Sequence, residues 1–157
     1  MERTAKRLDP KKAKEKILRY CVYQERSHRQ VKEKLYSFGL YKNEVEDLLA
    51  ELITNDFLNE ERFALAYAGG KFRMKQWGKM KITNGLKAQG ITPYLINKAL
   101  KEIDEDDYKN TLEKLLKKKA TLIESDNKLE LKQKLLRYAI SKGYESELVW
   151  QMLNDTD

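Results

Sequence analysis

Residues 69 to 82, GGKFRMKQWGKMKI, gather Lys71, Arg73, Lys75, Lys79 and Lys81 around Trp77 and three glycines, with no acid among them. A phosphate-cradling loop, a nucleic-acid arm and a lysine-coated helix all use such a composition. The spacing sets the first aside. A phosphate loop needs glycine five residues before its Gly-Lys pair and Ser or Thr after it, whereas Gly78-Lys79 has Arg73 before it and Met80 after it. The glycines do not fall as G-x-G-x-x-G either, so the dinucleotide fingerprint is missing.

Other reactive groups are sparse. His28, the single histidine, has Ser27 and Arg29 as neighbours and no carboxylate or cysteine at ligand spacing, which argues against a triad or a histidine-based metal site. The lone Cys21 permits no intramolecular disulfide and no zinc knuckle, and reads as a small buried apolar residue in a reducing compartment. Asp104 to Asp107 lack the glycine and terminal glutamate of a calcium loop. They read instead as a helix start, with Asp104 as cap and the following acids facing the positive helix end. No pair of carboxylates is placed in a cleft by any pattern. The expectation is a non-enzymatic protein with no metal and no cofactor.

Charge is segregated along the chain. From Arg62 to Lys101 there are nine basic residues and no Asp or Glu, so this window carries +9 of a formal total of +7 and leaves the rest at −2. Asn43 to Glu61 holds seven acids and no base, and Glu2 to Arg19 holds eight bases against three acids. Such an arrangement gives a basic face that attracts phosphate or acidic partners through long-range field and counterion release. No window approaches eighteen consecutive apolar residues, and the basic start MERTAKRLDPKK lacks the apolar core of a signal peptide. The expected location is the cytoplasm, with no membrane partner.

The elements that position these charges repeat. Gly39, Gly90 and Gly143 are 51 and 53 residues apart. Eight residues before them stand Val31, Ile82 and Leu135, and four before stand Leu35, Leu86 and Ala139. Six after come Val45, Ile96 and Val149, and ten after come Leu49, Leu100 and Leu153. Four apolar columns in register describe one helical unit present three times. Each glycine closes a helix in the left-handed conformation. Ser27 with Gln30 makes a capping box, Asn43 with Glu46 resembles one, and Asp9-Pro10 and Thr92-Pro93 mark first turns. Helices are expected near 10–24, 27–39, 43–55, 60–76, 79–90, 93–103, 105–124, 128–142 and 145–154. The fold class is all-α, with a basic tail at 1–9 and three-helix units at 10–57, 58–104 and 105–157. A unit of about fifty residues buries little alone. The units should therefore stack end to end into an elongated, curved crescent.

Three stretches resemble successive signatures of the RecX family, bacterial regulators of the RecA recombinase: RSHRQVKEKLYSFGL (26–40), FLNEERFALAY (57–67) and GKMKITNGLKAQGI (78–91). The likeness covers residues 12 to 104 well and thins in the third repeat. It implies a crescent of three tandem three-helix units that lies in the groove of the RecA–DNA filament and modulates it, typically as an inhibitor of ATP hydrolysis, strand exchange and coprotease activity. Recombination, DNA repair and the SOS response are the processes implied. The implied partners are the RecA filament and DNA, single-stranded within the filament or free, with the protein itself a monomer and no catalytic residues to transfer.

The expected contact set is Arg26, Arg29, Arg62, Lys71, Arg73, Lys75, Trp77, Lys79, Lys81 and Lys87. Phe63, Ala66, Tyr67, Gly70, Met74 and Trp77, at spacings of three and four, are expected as the core-facing stripe of their helix. Arg62 is expected to pair with Glu46, Asp47, Glu60 or Glu61. Trp77 either plugs a junction between repeats or, partly exposed, stacks on a base or inserts into a protein pocket. Gly69 and Gly70 suggest close approach of another helix or of backbone. Two other functions stay open: a direct DNA-binding module, disfavoured by the lack of base-reading Asn, Gln and Arg, and a helical scaffold for protein partners.

Overall fold

The computed structural model describes residues 7–155, so residues 1–6 of the expected basic tail lie outside the described residues. Among those described there are nine helices and no strand: α1 (Pro10–Tyr23), α2 (His28–Ser37), α3 (Lys42–Thr54), α4 (Glu60–Lys75), α5 (Lys79–Ala88), α6 (Pro93–Lys101), α7 (Glu105–Ala120), α8 (Lys128–Ser141) and α9 (Ser146–Asp155). None is long and apolar enough to cross a membrane. They form three tandem three-helix units, α1–α3, α4–α6 and α7–α9.

Local signals set most helix starts. Ser27 Oγ accepts the Gln30 N–H at 3.0 Å while Gln30 Oε1 accepts the Ser27 N–H at 3.1 Å, closing the box expected there. Thr92 and Asp104 accept from Leu95 and Asp107 in the same way, at 3.4 and 2.9 Å. The third helix differs from expectation. Leu40 buries directly after Gly39, which leaves Tyr41 extended as the cap position. Its N–H is taken by Glu44 at 2.9 Å, so Asn43 and Glu46 make no box. Gly39, Gly90 and Gly143 have φ of 81°, 75° and 100°, the left-handed turn inferred from their spacing.

The aligned columns are interior. Val31, Ile82 and Leu135, then Leu35, Leu86 and Ala139, then Val45, Ile96 and Val149 are all buried. In the last column Leu153 is buried, while Leu49 and Leu100 pack against the core from its edge. These residues do not form one continuous interior. Unit 1 has its own core from Ala13 to Leu58, and units 2 and 3 share another from Phe63 to Leu153.

Units 2 and 3 are joined by aromatic packing and backbone hydrogen bonds. Tyr108 lies between Phe72 and Tyr144, with ring centroids 5.9 and 5.1 Å away. Gly78 and Met80 donate their N–H groups to the carbonyls of Lys142 and Gly143, both at 2.8 Å. A Cβ on Gly78 would stand 2.3 Å from the Gly143 carbonyl carbon, so the close approach requires glycine.

Units 1 and 2 meet through polar groups. The fully buried Ser27 donates its hydroxyl to Gln89 Oε1 at 2.7 Å, and Arg29 donates to the Ala88 carbonyl. His28 donates its N–H to Glu60 at 3.3 Å. Arg62 holds Glu25 through Nε at 2.9 Å and Asp56 through Nη1 at 2.8 Å. These partners correct the expected ones: Arg62 sits where α4 leaves the connecting loop, and its side chain reaches Glu25 in the loop after α1 and Asp56 in the loop after α3, not Glu46 or Asp47 within α3 or the acids of its own first turn.

Candidate functional site

The acid-free window is divided by the fold into cations engaged in the structure and cations that are not. Arg62 is held by Glu25 and Asp56, and these bonds raise its already high pKa, the Glu25 bond first. Lys79 pairs with Glu105 at 2.7 Å and sits over the Tyr108 ring, while Lys98 pairs with Glu61. Arg26 lies against the Tyr20 ring, 3.7 Å from its centre, and donates to the Tyr20 carbonyl at 2.9 Å. Arg29 braces the unit 1–unit 2 joint and lies 3.7 Å from Glu33. Four of the ten expected contact residues, Arg26, Arg29, Arg62 and Lys79, thus have intramolecular work.

Among the described residues, Lys71, Lys75, Lys81, Lys87 and Arg73 have no carboxylate at ion-pair distance. Two of them meet at one place, with a third nearby along α4. The ammonium groups of Lys71 and Lys81 lie 4.9 and 4.7 Å from the centre of the Trp77 indole, and Lys71 also lies 5.4 Å from the Tyr67 ring. Lys75 is one helical turn beyond Lys71 on α4. Cation–π contact holds the two lysine heads at the surface without neutralising them. Arg73 lies elsewhere, in a recess with Glu102, Asp104 and Asp107. Lys87, exposed in the last turn of α5, is not part of the Trp77 cluster.

The aromatic residues form a row. Phe63 contacts Tyr67 at a centroid distance of 5.7 Å, and Tyr67 meets Trp77 edge-on at 6.4 Å. Gly85 of α5 makes room for the Tyr67 phenol, since a Cβ there would stand 2.0 Å from the hydroxyl. Burial raises the Tyr67 pKa, which keeps the phenol neutral. Trp77 is half-buried against the shared core, so it seals the end of α4 and still shows part of its ring.

The expected core stripe of α4 needs correction. The buried face is Phe63, Ala64, Ala68 and Phe72, whereas Ala66 is exposed and Met74 is 82% exposed. Ala66, Tyr67, Gly70, Lys71, Met74 and Lys75 instead line an open groove of about 430 Å³, with Phe63 at its base and Gln24, Glu25 and Gln30 of unit 1 on the opposite wall. Helical spacing detects an apolar face, but α4 has two such faces and only packing selects the inner one. At the paired glycines, a Cβ on Gly69 would first meet Arg73 of the same helix, and one on Gly70 would meet nothing within 4 Å, so no other helix packs against Gly70. A spacing-based reading assigned this groove to the core. Its available signal was a helix-interior glycine beside lysines.

Comparison with known proteins places this geometry. Residues 59–100 match the model of the second three-helix domain of RecX, and residues 105–153 match that of the third, together more than half of the chain. The regulatory protein RecX of Clostridium tetani is 32% identical over 145 residues, covering 91% of this chain and 66% of that protein. That of Clostridium perfringens strain 13 is 31% identical over 137 residues, covering 85% and 63%. The chain therefore spans about two thirds of the length of these curated relatives. Two solved structures share the fold: RecX from Lactobacillus salivarius, with a TM-score of 0.82 at 20% identity over 93% of this chain and 95% of that one, and a second regulatory protein RecX, with 0.83 at 23% over 93% and 71%. With both helical-domain models and these relatives in agreement, the chain belongs to the RecX family.

Proposed function

We propose that this chain is a non-enzymatic modulator of the RecA recombinase, acting as an inhibitor, which binds as a cytoplasmic monomer in the groove of the RecA–DNA filament. In this reading the units run 10–57, 58–104 and 105–157 behind a basic tail at 1–9, and their curved stack follows the filament. The observation that carries it is the pair Lys71 and Lys81, un-neutralised cations beside the partly exposed Trp77 indole, with the exposed Lys75 one helical turn beyond Lys71, in a RecX-family chain. Phosphate on DNA and acidic filament surfaces are natural counterparts of such a site. Lys87 adds longer-range attraction, and Arg73 adds less because Glu102, Asp104 and Asp107 share its recess. Arg29, Arg62 and Lys79 contribute by holding the units in register, and Arg26 by bracing the end of α1 against Tyr20.

The test is RecA ATP hydrolysis on single-stranded DNA with increasing protein. Wild type should suppress it, and reversal of Lys71, Lys75 and Lys81 to Glu should relieve the suppression and flatten its salt dependence. Unchanged suppression by that triple variant at moderate salt would remove the site assignment. No suppression by wild type at any ratio, with the cognate recombinase, would remove the function. Tight sequence-selective binding to DNA without RecA would instead favour a DNA-binding module.

A further inference from the structure

We propose that the groove between unit 1 and α4 takes a short acidic peptide segment carrying one apolar anchor side chain. Its source, a filament protein, rests on the function above; the groove's own chemistry does not. At about 430 Å³ the groove is within the range of clefts that hold a side chain or small ligand, roughly 300–1,000 Å³. Its base is Phe63 and Tyr67, and Met74 stands at its lip almost fully exposed, an adaptable apolar surface left uncovered by the described chain.

Gly70 supplies an independent argument. It lies inside α4, where glycine is the poorest ordinary helix former, and its φ is not left-handed. Nothing within 4 Å would meet a Cβ there, so neither backbone conformation nor internal packing requires glycine. What its missing side chain does is keep the groove open.

Charge selects the occupant. Lys71 and Lys75 line one side with no carboxylate at ion-pair distance among the described residues. The acid across from them, Glu25, is already paired with Arg62 and does not offset them. Gln24 and Gln30 add amide groups able to hydrogen-bond a peptide main chain. A nucleic acid is served less well, because the walls are mainly apolar and the cations sit together instead of tracking a backbone.

The experiment is fluorescence anisotropy of the whole chain with a fluorescein-labelled peptide in which Asp and Glu flank a central Leu-Phe pair. Saturable binding is expected, weakened roughly tenfold by joint Lys71→Glu and Lys75→Glu reversal. Gly70→Trp should abolish it by filling the groove with the lysines intact, with helix content checked by circular dichroism and Gly70→Ala as a gentler variant giving partial loss. Equal binding by a peptide with Asn and Gln in place of the acids would overturn the proposal, as would binding untouched by Gly70→Trp in a folded protein. So would a wild type that self-associates through this groove in sedimentation, or a groove that takes a thymidine oligonucleotide in preference to the peptide. No recombinase is present, so an unbound peptide sinks this inference alone, and a failed ATPase assay sinks only the functional reading.

Discussion

Units 1 and 2 meet through Ser27, Gln89, Arg29, Glu25 and Arg62, whereas units 2 and 3 meet through Phe72, Tyr108, Tyr144 and a Gly78–Gly143 backbone contact. The first joint trades hydrogen bonds to water for bonds within the protein, each a modest net gain of about 1 kcal/mol. The second removes large rings from water and merges two cores into one. The same repeat thus makes a separable joint and a sealed one. The candidate groove lies at the separable joint, and the Trp77 cluster lies close to the sealed one, where α4 passes into α5.

The largest expected effect is at the sealed joint. Gly78→Ala puts a methyl into the Gly143 backbone, and overpacking of this kind should cost about 3 kcal/mol, read as a lower midpoint in urea unfolding. A midpoint within error of wild type would mean that the units do not approach as closely as described. Next comes Tyr108→Phe. Its hydroxyl accepts the Lys79 N–H at 2.8 Å and donates to Glu145, and burial, followed by the Glu145 bond, raises its pKa well above the ordinary tyrosine value. Losing that hydroxyl strands both partners, at about 2 kcal/mol.

At the polar joint, Ser27→Ala removes a cap and the bond to Gln89, for about 1 kcal/mol. Hydrogen exchange tells the joints apart: this variant should speed exchange in α1–α3 while α4–α9 stay protected. Uniform acceleration through all nine helices would show a single cooperative body and erase the distinction. The smallest effect is electrostatic. Lys79 holds the exposed Glu105 carboxyl below its usual pKa, so its contribution is present above the ordinary value of about 4.3 and is lost as pH falls through the lower folded value. The difference in melting temperature between wild type and Glu105→Gln should therefore shrink on acidification through that range.

Much of the architecture was legible because it is local. A glycine in a left-handed turn, a serine three residues before a glutamine and proline at a first turn act within a few bonds of themselves, so nine helices and their threefold repeat follow from spacing. The RecX likeness rests on a different ground, the resemblance of the stretches 26–40, 57–67 and 78–91 to that family's signatures. The site was legible only as a composition. Arg62, Lys79 and Lys71 look alike in sequence, and what separates them is whether Glu25, Glu105 or only an indole stands opposite.

By itself, then, the amino-acid order determined that this chain is helical, repeats three times and concentrates positive charge in its middle unit, because propensity, capping and net charge are properties of neighbouring residues. Tertiary structure decided which apolar face of α4 became core, which joint was sealed, and which lysines were left without a carboxylate. Those outcomes depend on residues tens of positions away meeting in space, as Tyr108 meets Lys79 and Arg62 meets Glu25. No period or local spacing records such a meeting.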